Sequence, residues 1–466
     1  MTGSMSATGA QANTRSATLR RRLGRDGRAA IGRRAGRMRL FPAVTLALLA
    51  GLVVAFAAYG FLRWITPVDV SKQAAEIDVT RVALTVVAGV GGVVALVIAY
   101  RRQRDLEQSR FIERFGAAAA QLGATDVAVR IAGVYAMAGV ADESDGLRRQ
   151  QCIDVLCGYL RLPYQPELGA NHQSKSVRKR RGRGGAGENE DHFEYRHNDR
   201  EVRATIVRVM ADRLRSPTEN SWSASDFDFR TAHLEDVDLS KVTFSGAVRF
   251  GGAIFSGPAE FGGAIFSGPA VFNRATFSGI AVFDGARFSD IAGFDRATFA
   301  NTAWFNETTF SDIARFDRAT FSNTAAFNRA TFSSTVAFNR AIFSDIVAFD
   351  RATFANTAWF NDAAFSGIAI FGGAIFSGPA VFGGAIFSGP VVFGDTTFSD
   401  TAAFDRATFS GPAVFVGGDF GSNTISFADP KQWGPPSPVF DWDQDVSKKP
   451  ANVEPGDWPP AVSSPS

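Results

Sequence analysis

Residues 266–288 read FSGPAVFNRATFSGIAVFDGARF, and the five phenylalanines in this stretch are separated alternately by six and five residues. The alternation continues without a slip from Phe244 to Phe420, which gives a repeat of eleven residues. A small residue lies two positions before each phenylalanine. Because side chains at i and i+2 of an extended segment share a face, one small and one large side chain would point inward together. The pattern therefore predicts short strands around a phenylalanine core.

Turn-forming residues separate these strands, as in Ser256-Gly257-Pro258. Strands and turns that alternate at a fixed pitch indicate a solenoid. Eleven residues are too few to enclose two phenyl rings, whereas two repeats, or about 22 residues, form four faces with four phenylalanines in each coil. Eight such coils at about 4.8 Å each predict a rod about 40 Å long. We assign the phenylalanines to the core and not to a cofactor site, beginning with Phe255, Phe261, Phe266, Phe272, Phe277 and Phe283.

The start of the repeat has a simpler form, because Ala232-His-Leu234, Val237-Asp-Leu239 and Val242-Thr-Phe244 are spaced strictly by five. A small residue two positions before a centre residue, at this spacing, resembles the pentapeptide-repeat family and its motif A(D/N)LXX. The body of the repeat departs from the motif by using phenylalanine throughout and by adding a sixth residue in alternate faces, as Phe-rich members of the family do. The resemblance implies a right-handed quadrilateral β-helix over residues 217–428.

The N-terminal part of the chain has the composition of a membrane anchor. Residues 40–62 and 82–100 contain no charged side chain, and each segment has about the length that spans a bilayer. Arginines are concentrated in the tail 1–39, which we expect to be disordered, and after the second span, whereas the connector 63–81 has few basic residues. The positive-inside rule then predicts two transmembrane helices in the cell membrane, an extracytoplasmic connector, and both termini in the cytoplasm.

Two features of this anchor keep alternative interpretations. Small residues recur every fourth position in both spans, which suits close helix packing within the hairpin or in a homo-oligomer. The arginine-rich tail satisfies the orientation rule, and it could also bind anionic lipid or nucleic acid.

A helical region and a charged segment connect the anchor to the repeat. Apolar residues at i, i+3 and i+4 predict a HEAT-like helical unit over residues 101–168. Residues 169–198 are charged and contain no apolar pattern, so we expect a flexible linker. A further helix over 199–216 would lead to the solenoid, with Val202, Ile206, Val209 and Leu214 on one stripe. Residues 429–466 form a Pro-rich tail, part of which would cap the last coil, and its final twenty residues are expected to be disordered. The fold class is α + β.

Sequence motifs give no support for catalysis. Two cysteines, Cys152 and Cys157, have neither redox nor zinc-site spacing, and the four histidines do not converge on a metal. No nucleotide-binding or nucleophile motif occurs in a suitable context. We therefore predict no catalytic, metal or cofactor-binding residues.

The outer surface of the repeat offers two candidate interaction features. Arg274, Arg296, Arg318 and Arg340 recur at every second repeat, so they should form one column. Such a column is either a solvated ladder neutralised by nearby aspartates or a docking face for an anion or a protein. Trp304 and Trp359 should be exposed, as interaction hot spots often are, but on opposite faces, and segmental duplication explains the pair equally well.

Together these features predict a membrane-anchored, non-catalytic scaffold for protein–protein interaction, similar to the membrane-bound pentapeptide-repeat proteins of high-GC actinobacteria, whose role is generally unassigned. The partners would be the lipid bilayer, an unidentified protein and, in one interpretation, a second copy. The alternative, which the resemblance implies because some pentapeptide-repeat proteins act as DNA mimics, is a modulator of gyrase or another nucleic-acid enzyme. Ten Arg against twelve Asp and two Glu between residues 244 and 420 disfavour a nucleic-acid role, because a DNA mimic is strongly acidic.

Overall fold

The computed structural model describes residues 74–166, 175–181, 188–194, 199–215 and 221–463, together with six isolated positions between 53 and 64. The chain divides into two compact units, residues 1–111 and 112–466. Helix α1 (Ala74–Leu122) begins in the first unit and ends in the second.

Within the part of the chain that the structure describes, no helix is both long enough and apolar enough to cross a bilayer. The predicted span 40–62 and the basic tail 1–39 lie almost entirely outside the described residues, and the predicted span 82–100 is part of α1. Both spans remain predictions.

Three helices of the second unit precede the solenoid, namely α2 (Val127–Asp142), α3 (Gly146–Leu160) and α4 (Asp199–Arg215). Asp126 caps α2, because its carboxylate accepts bonds from the backbone N–H groups of Ala128 and Val129 at 2.7 and 3.2 Å. The apolar stripe predicted for α4 is confirmed, since all four of its residues are buried.

Ion pairs join these helices to one another inside the second unit. The guanidinium of Arg130 is fully buried and lies 2.6 Å from the Asp199 carboxylate, to which the Tyr159 hydroxyl also donates. Asp142 binds Arg213 at 2.7 Å and accepts a hydrogen bond from Trp222 Nε1 at 2.9 Å. Because Trp222 lies directly before the first coil, this contact fixes the start of the solenoid against α2 and α4.

The prediction of a flexible linker over residues 169–198 is wrong in part, because this segment contains a regular element. Strands β1 (Lys175–Arg181) and β2 (Glu188–Glu194) form an antiparallel hairpin. Its register places Lys175 opposite Glu194 and Arg178 opposite Asp191. The register therefore aligns the mainly basic strand β1 with the mainly acidic strand β2, and opposite charges on facing strands are a favourable arrangement.

The solenoid has four faces, each a parallel sheet of two-residue strands, and from β3 to β37 successive strands belong to successive faces. Face 1 contains β3 (Phe227–Asp228), β7 (Val248–Arg249), β11 (Ala270–Val271), β15 (Ala292–Gly293), β19 (Ala314–Arg315), β23 (Val336–Ala337), β27 (Ala358–Trp359), β31 (Ala380–Val381), β35 (Ala402–Ala403), β38 (Ile425–Ser426) and β40 (Val453–Glu454). Face 2 contains β4 (His233–Leu234), β8 (Ile254–Phe255), β12 (Thr276–Phe277), β16 (Thr298–Phe299), β20 (Thr320–Phe321), β24 (Ile342–Phe343), β28 (Ala364–Phe365), β32 (Ile386–Phe387), β36 (Thr408–Phe409) and β39 (Gln432–Trp433).

The two remaining faces complete each coil. Face 3 contains β5 (Val237–Asp238), β9 (Ala259–Glu260), β13 (Ala281–Val282), β17 (Ala303–Trp304), β21 (Ala325–Ala326), β25 (Val347–Ala348), β29 (Ala369–Ile370), β33 (Val391–Val392) and β37 (Ala413–Val414). Face 4 contains β6 (Thr243–Phe244), β10 (Ile265–Phe266), β14 (Arg287–Phe288), β18 (Thr309–Phe310), β22 (Thr331–Phe332), β26 (Thr353–Phe354), β30 (Ile375–Phe376) and β34 (Thr397–Phe398).

The strand register confirms the predicted coil of two repeats. Ala281 pairs with Ala303, and Phe277 with Phe299. The number of coils differs from the prediction, because the four faces hold 11, 10, 9 and 8 strands and so make about nine turns, not eight. The extra turn comes from the ends of the solenoid, which lie outside the strict phenylalanine pattern. The four-faced architecture is thus observed, and its right-handedness stays a prediction.

Phenylalanines and small residues fill the interior as predicted. The representative residues Phe255 to Phe283 are at most 1 % exposed. Rings one coil apart stack in parallel, as Phe272 and Phe294 do with centroids 4.8 Å apart. Rings one repeat apart meet edge to face, as Phe272 and Phe283 do at 5.5 Å. Both arrangements are favourable for the aromatic quadrupole, so the core combines burial with ring–ring attraction.

Two threonines occupy small-residue positions in this core. Thr308 and Thr396 are fully buried where most coils have alanine. Each hydroxyl donates a 2.8 Å bond to a backbone carbonyl, of Phe283 and Phe371 respectively. The bonds satisfy the hydroxyls, which explains why a polar group is tolerated there.

The C-terminal segment extends the solenoid, so the predicted boundary at residue 428 is wrong. Strand β39 pairs with β36, and β40 pairs with β38. Phe440 stacks on Phe415 at 4.6 Å, and Trp458 meets Phe427 and Phe440 edge to face. The expected disorder of the final twenty residues is also wrong as far as residue 463, because β40 and its flanks form the cap.

A truncation of one core ring should destabilise the solenoid strongly. Phe316 stacks between Phe294 and Phe338 at 4.8 Å on each side. We expect Phe316→Ala to lower the free energy of unfolding by about 3–5 kcal/mol, because it leaves a cavity inside a continuous stack. Urea unfolding of the full-length protein in detergent measures this loss. Thr320→Ala, on the outside of the next face, is the control, and an equal loss in both variants would refute the role of the stack.

Candidate interaction surface

The turns between faces 1 and 2 position the predicted arginine column. In each turn the backbone N–H of the fourth residue donates to the carbonyl of the first, as Ala275 does to Phe272 at 2.9 Å. Arg274 is the third residue and has φ +59°, and Arg296, Arg318 and Arg340 have φ +57°. Glycine occupies the same position in other coils, at Gly252 and Gly384. Since the left-handed conformation costs a non-glycine residue about 1 kcal/mol, these arginines are not the conformationally favoured choice.

The structure brings the four arginines together on one edge of the solenoid. We call Arg274, Arg296, Arg318 and Arg340 the basic column. They border a groove of about 710 Å³, whose other lining residues are Asn273, Asp295, Arg315, Asp317, Asn339, Asn361 and Asp362. Five arginines against three aspartates give the groove a positive balance. Sequence reasoning missed Arg315, although its position two residues before Asp317 on an extended segment could have placed it beside the column.

A ladder of amide and carboxylate groups forms the floor of this groove. Asn273 accepts a hydrogen bond from the backbone N–H of Asp295 at 3.0 Å, and Asp317 accepts one from that of Asn339 at 2.9 Å. Asn361 repeats the pattern with Asn339 at 3.2 Å. The side chains of Asn273, Asp317 and Asn339 therefore each link their coil to the next, which helps to keep the arginines above them evenly spaced.

Ion pairing within the column is incomplete. Arg340 Nε lies 3.4 Å from Asp362, and the Arg340 side chain is 61 % exposed. Among the residues that the structure describes, no carboxylate oxygen lies within 4.0 Å of the guanidinium nitrogens of Arg274, Arg296 or Arg318. The interleaved aspartates contribute to the groove but do not pair with these three arginines. An anionic group could thus contact them without displacing an internal partner.

Asp295 is a floor residue whose charged form is unfavourable. Burial and then repulsion from Asp317 raise the pKa of its carboxyl group above the ordinary value. Its Oδ1 atom is buried and has no hydrogen-bond partner among the described residues. The floor thus contains one carboxylate that is unfavourable in its charged form.

The opposite corner carries a second, more balanced column. We call Glu307, Arg329 and Arg351 the mixed column, and it lies between faces 3 and 4. Arg329 contacts Glu307 at 3.4 Å, and Arg351 contacts Asp350 at 3.9 Å. The mixed column has the same turn geometry, with φ values of +54 to +56°, so it is a matched control for the basic column.

The two predicted tryptophans are separated by the solenoid. Trp359 is 37 % exposed on face 1, the face of Arg315, and lies two residues before Asn361 at one end of the groove. Trp304 is 41 % exposed on face 3. Trp359 can therefore contribute to a surface with the basic column, and Trp304 cannot.

No feature of the described residues resembles a catalytic centre. Burial raises the pKa of the Cys152 thiol to about 11 and that of the Cys157 thiol to about 12, so neither is a reactive thiolate at neutral pH. The described part of the chain contains no group of three or more His, Cys, Asp or Glu that could hold a metal ion. His233 points outward in the first coil, with Nε2 3.0 Å from Ser256 Oγ. His172 and His197 lie outside the described residues.

A family model for pentapeptide repeats matches the solenoid in nine copies, covering residues 229–276, 272–320, 305–352, 338–386 and 349–397. Residues 229–397 of the solenoid are thus pentapeptide repeats. No curated protein and no solved structure matches the chain. The pentapeptide repeat thus accounts for the core and the four faces, while the basic column is a feature of this sequence on that scaffold.

The raised pKa of Asp295 gives a prediction about how the stability of the solenoid depends on pH. A carboxyl group whose pKa is raised in the folded state binds more protons there than in the unfolded state. Its contribution to stability therefore falls as the pH rises from the unfolded-state pKa through the folded-state pKa. We expect Asp295→Asn to raise the melting temperature at pH 7 by about 2 °C, and to have no such effect at pH 3. Asp362→Asn, at an exposed position, is the control. A gain that is equal at both pH values would contradict the assignment.

Proposed function

We propose that the chain is a membrane-anchored, cytoplasmic, non-catalytic scaffold whose basic column binds an acidic segment of a partner protein. Repeat solenoids commonly use a long regular surface for recognition. The observation that carries the proposal is the set of three arginines in the groove that have no carboxylate partner among the described residues.

The geometry of the groove favours an extended acidic segment over a single small anion. The four arginines are one coil apart, so the column repeats at about 4.8 Å and extends about 15 Å. Carboxylates on alternate residues of an extended peptide are about 6.6–7 Å apart and could contact several guanidinium groups along the column. Arginine binds carboxylates through two parallel hydrogen bonds, which adds specificity to the charge attraction. Trp359 supplies an apolar contact at one end.

Removal of the basic column should weaken binding of an acidic peptide. The probe is a fluorescent ten-residue oligoglutamate, titrated against the full-length protein in nanodiscs. We expect the fourfold variant R274N/R296N/R318N/R340N to bind about tenfold more weakly or worse, because four charge-assisted contacts are lost. Asparagine tolerates the left-handed backbone, so the change removes charge with little strain.

The matched control is R329N/R351N in the mixed column. This variant should bind the peptide like the unmodified protein. Equal weakening in both variants would indicate non-specific charge attraction and contradict the proposed docking face. A supercoiling assay addresses the alternative function, and inhibition of gyrase at micromolar concentration would favour the DNA-mimic interpretation.

The membrane anchor is tested separately by reporter fusions. The arginine distribution supports cytoplasmic termini. A reporter active only outside the cytoplasm should be active when fused at residue 72 and inactive at either terminus. Activity at the C-terminus would place the solenoid outside the cytoplasm and overturn the proposed location.

A further inference from the structure

Face 3 differs from the other surfaces of the solenoid because twelve of its fourteen outward positions over seven consecutive coils are apolar and the other two are threonine. Its outward-facing positions between residues 280 and 414 contain no charged side chain. They are Ile280, Val282, Thr302, Trp304, Thr324, Ala326, Ile346, Ala348, Ile368, Ile370, Pro390, Val392, Pro412 and Val414. Faces 1 and 4 each carry an arginine within their equivalent coils, at Arg315 and Arg287, and face 2 has serine or threonine at most of its outward positions.

Several of these side chains are substantially exposed. Ile280 and Trp304 are each 41 % exposed and Ile368 is 39 % exposed. The outward side chain of Ala326, which pairs in register with Trp304, is only 4 % exposed. Face 3 is thus a mainly apolar strip of exposed and half-buried side chains, with one large ring in its second coil. A contiguous exposed strip of this kind is typical of an interaction site.

We propose that face 3 binds face 3 of a second copy of the chain, with the two solenoids side by side and parallel. Seven strands at about 4.8 Å separation make the strip about 34 Å long, and about four extended residues make it about 13 Å wide. Two such strips would bury roughly 900 Å² in total, which is slightly below the size of a stable specific interface and in the range of weak ones. A common membrane tether, as in the proposed function, raises the effective concentration and makes an interface of this size sufficient.

Charge complementarity selects the parallel arrangement. Arg351 lies at one edge of face 3 and Asp345 at the other edge of the same coil, and both are exposed. A two-fold axis along the solenoid brings opposite edges together at the same level, so Arg351 of each copy faces Asp345 of the other. A perpendicular axis through the middle of the strip brings equal edges together. It would place Arg351 against Arg351 and Glu307 against Asp395, which is unfavourable.

The negative end of face 3 sets the limit of the interface. Glu260 and Asp238 occupy the outward positions of the two coils before Ile280. Burial and then repulsion from Asp238 raise the pKa of the Glu260 carboxyl group. The contact between copies therefore begins at Ile280 and extends toward the C-terminal cap.

Cysteine cross-linking of the full-length protein in native membranes tests the arrangement. Ile370→Cys lies off the centre of the strip, so it meets itself only in the parallel dimer. The expected result is a disulfide-linked dimer for Ile370→Cys and none for the control Ala337→Cys on face 1. Cys152 and Cys157 are buried and should not interfere. Equal cross-linking of both variants, or of Ile370→Cys only with Ala326→Cys, would overturn the proposal.

Charge reversal provides a test that does not depend on cysteine. Asp345→Arg alone and Arg351→Asp alone should each reduce the dimer fraction roughly three- to tenfold, and the double variant should restore it. Dimer fraction is measured by mass photometry in nanodiscs. Failure of the double variant to recover would refute the Arg351–Asp345 contact. The fourfold basic-column variant should cross-link normally through Ile370→Cys, so loss of peptide binding and loss of dimers are separate outcomes.

Discussion

The solenoid depends on the stacking of identical rings one strand spacing apart. Parallel strands on neighbouring coils are about 4.8 Å apart, and this distance suits a parallel stack of phenyl rings. The same spacing therefore suits both the hydrogen bonds between strands and the stacking of the phenylalanine rings in the core. The offset between neighbouring coils must be a whole number of repeats, because any other offset would place a ring against a turn. The observed offset is two repeats. The outer surface inherits the same register, which is why the four arginines of the basic column form a straight line.

The repeat made the core predictable, and the departures from it were less so. Spacing alone identified the coil length, the inward pairing of small and large residues, and the alignment of Arg274 with Arg340. The ends could not be predicted in the same way, because Phe440 and Trp458 continue the aromatic stack after the spacing of eleven has stopped. The hairpin at Lys175 was missed because its strands are rich in charged residues and lack apolar alternation.

In the candidate site, likewise, the sequence pattern predicts which arginines align but not which of them form ion pairs. Column membership follows from arithmetic on residue numbers. Arg340 pairs with Asp362, whereas Arg274 pairs with none of the carboxylates that the structure describes. This difference depends on side-chain conformations, which the spacing of residues does not determine. Asp295 is similar, because its raised pKa arises from burial in the folded chain and then from Asp317 on the neighbouring coil, neither of which the local sequence shows.

Each coil consists of two chemically similar halves, and this has a consequence for how such a chain can change. Loss of a full coil would shorten the solenoid by one strand spacing and leave every later residue on its own face. Loss of a single repeat would preserve the phenylalanine alternation equally well, but it would move every later residue to the opposite face. Part of the basic column would then join the corner of Glu307, and part of the apolar strip would join face 1. The core would accept both events, so selection on the outer surface alone would distinguish them.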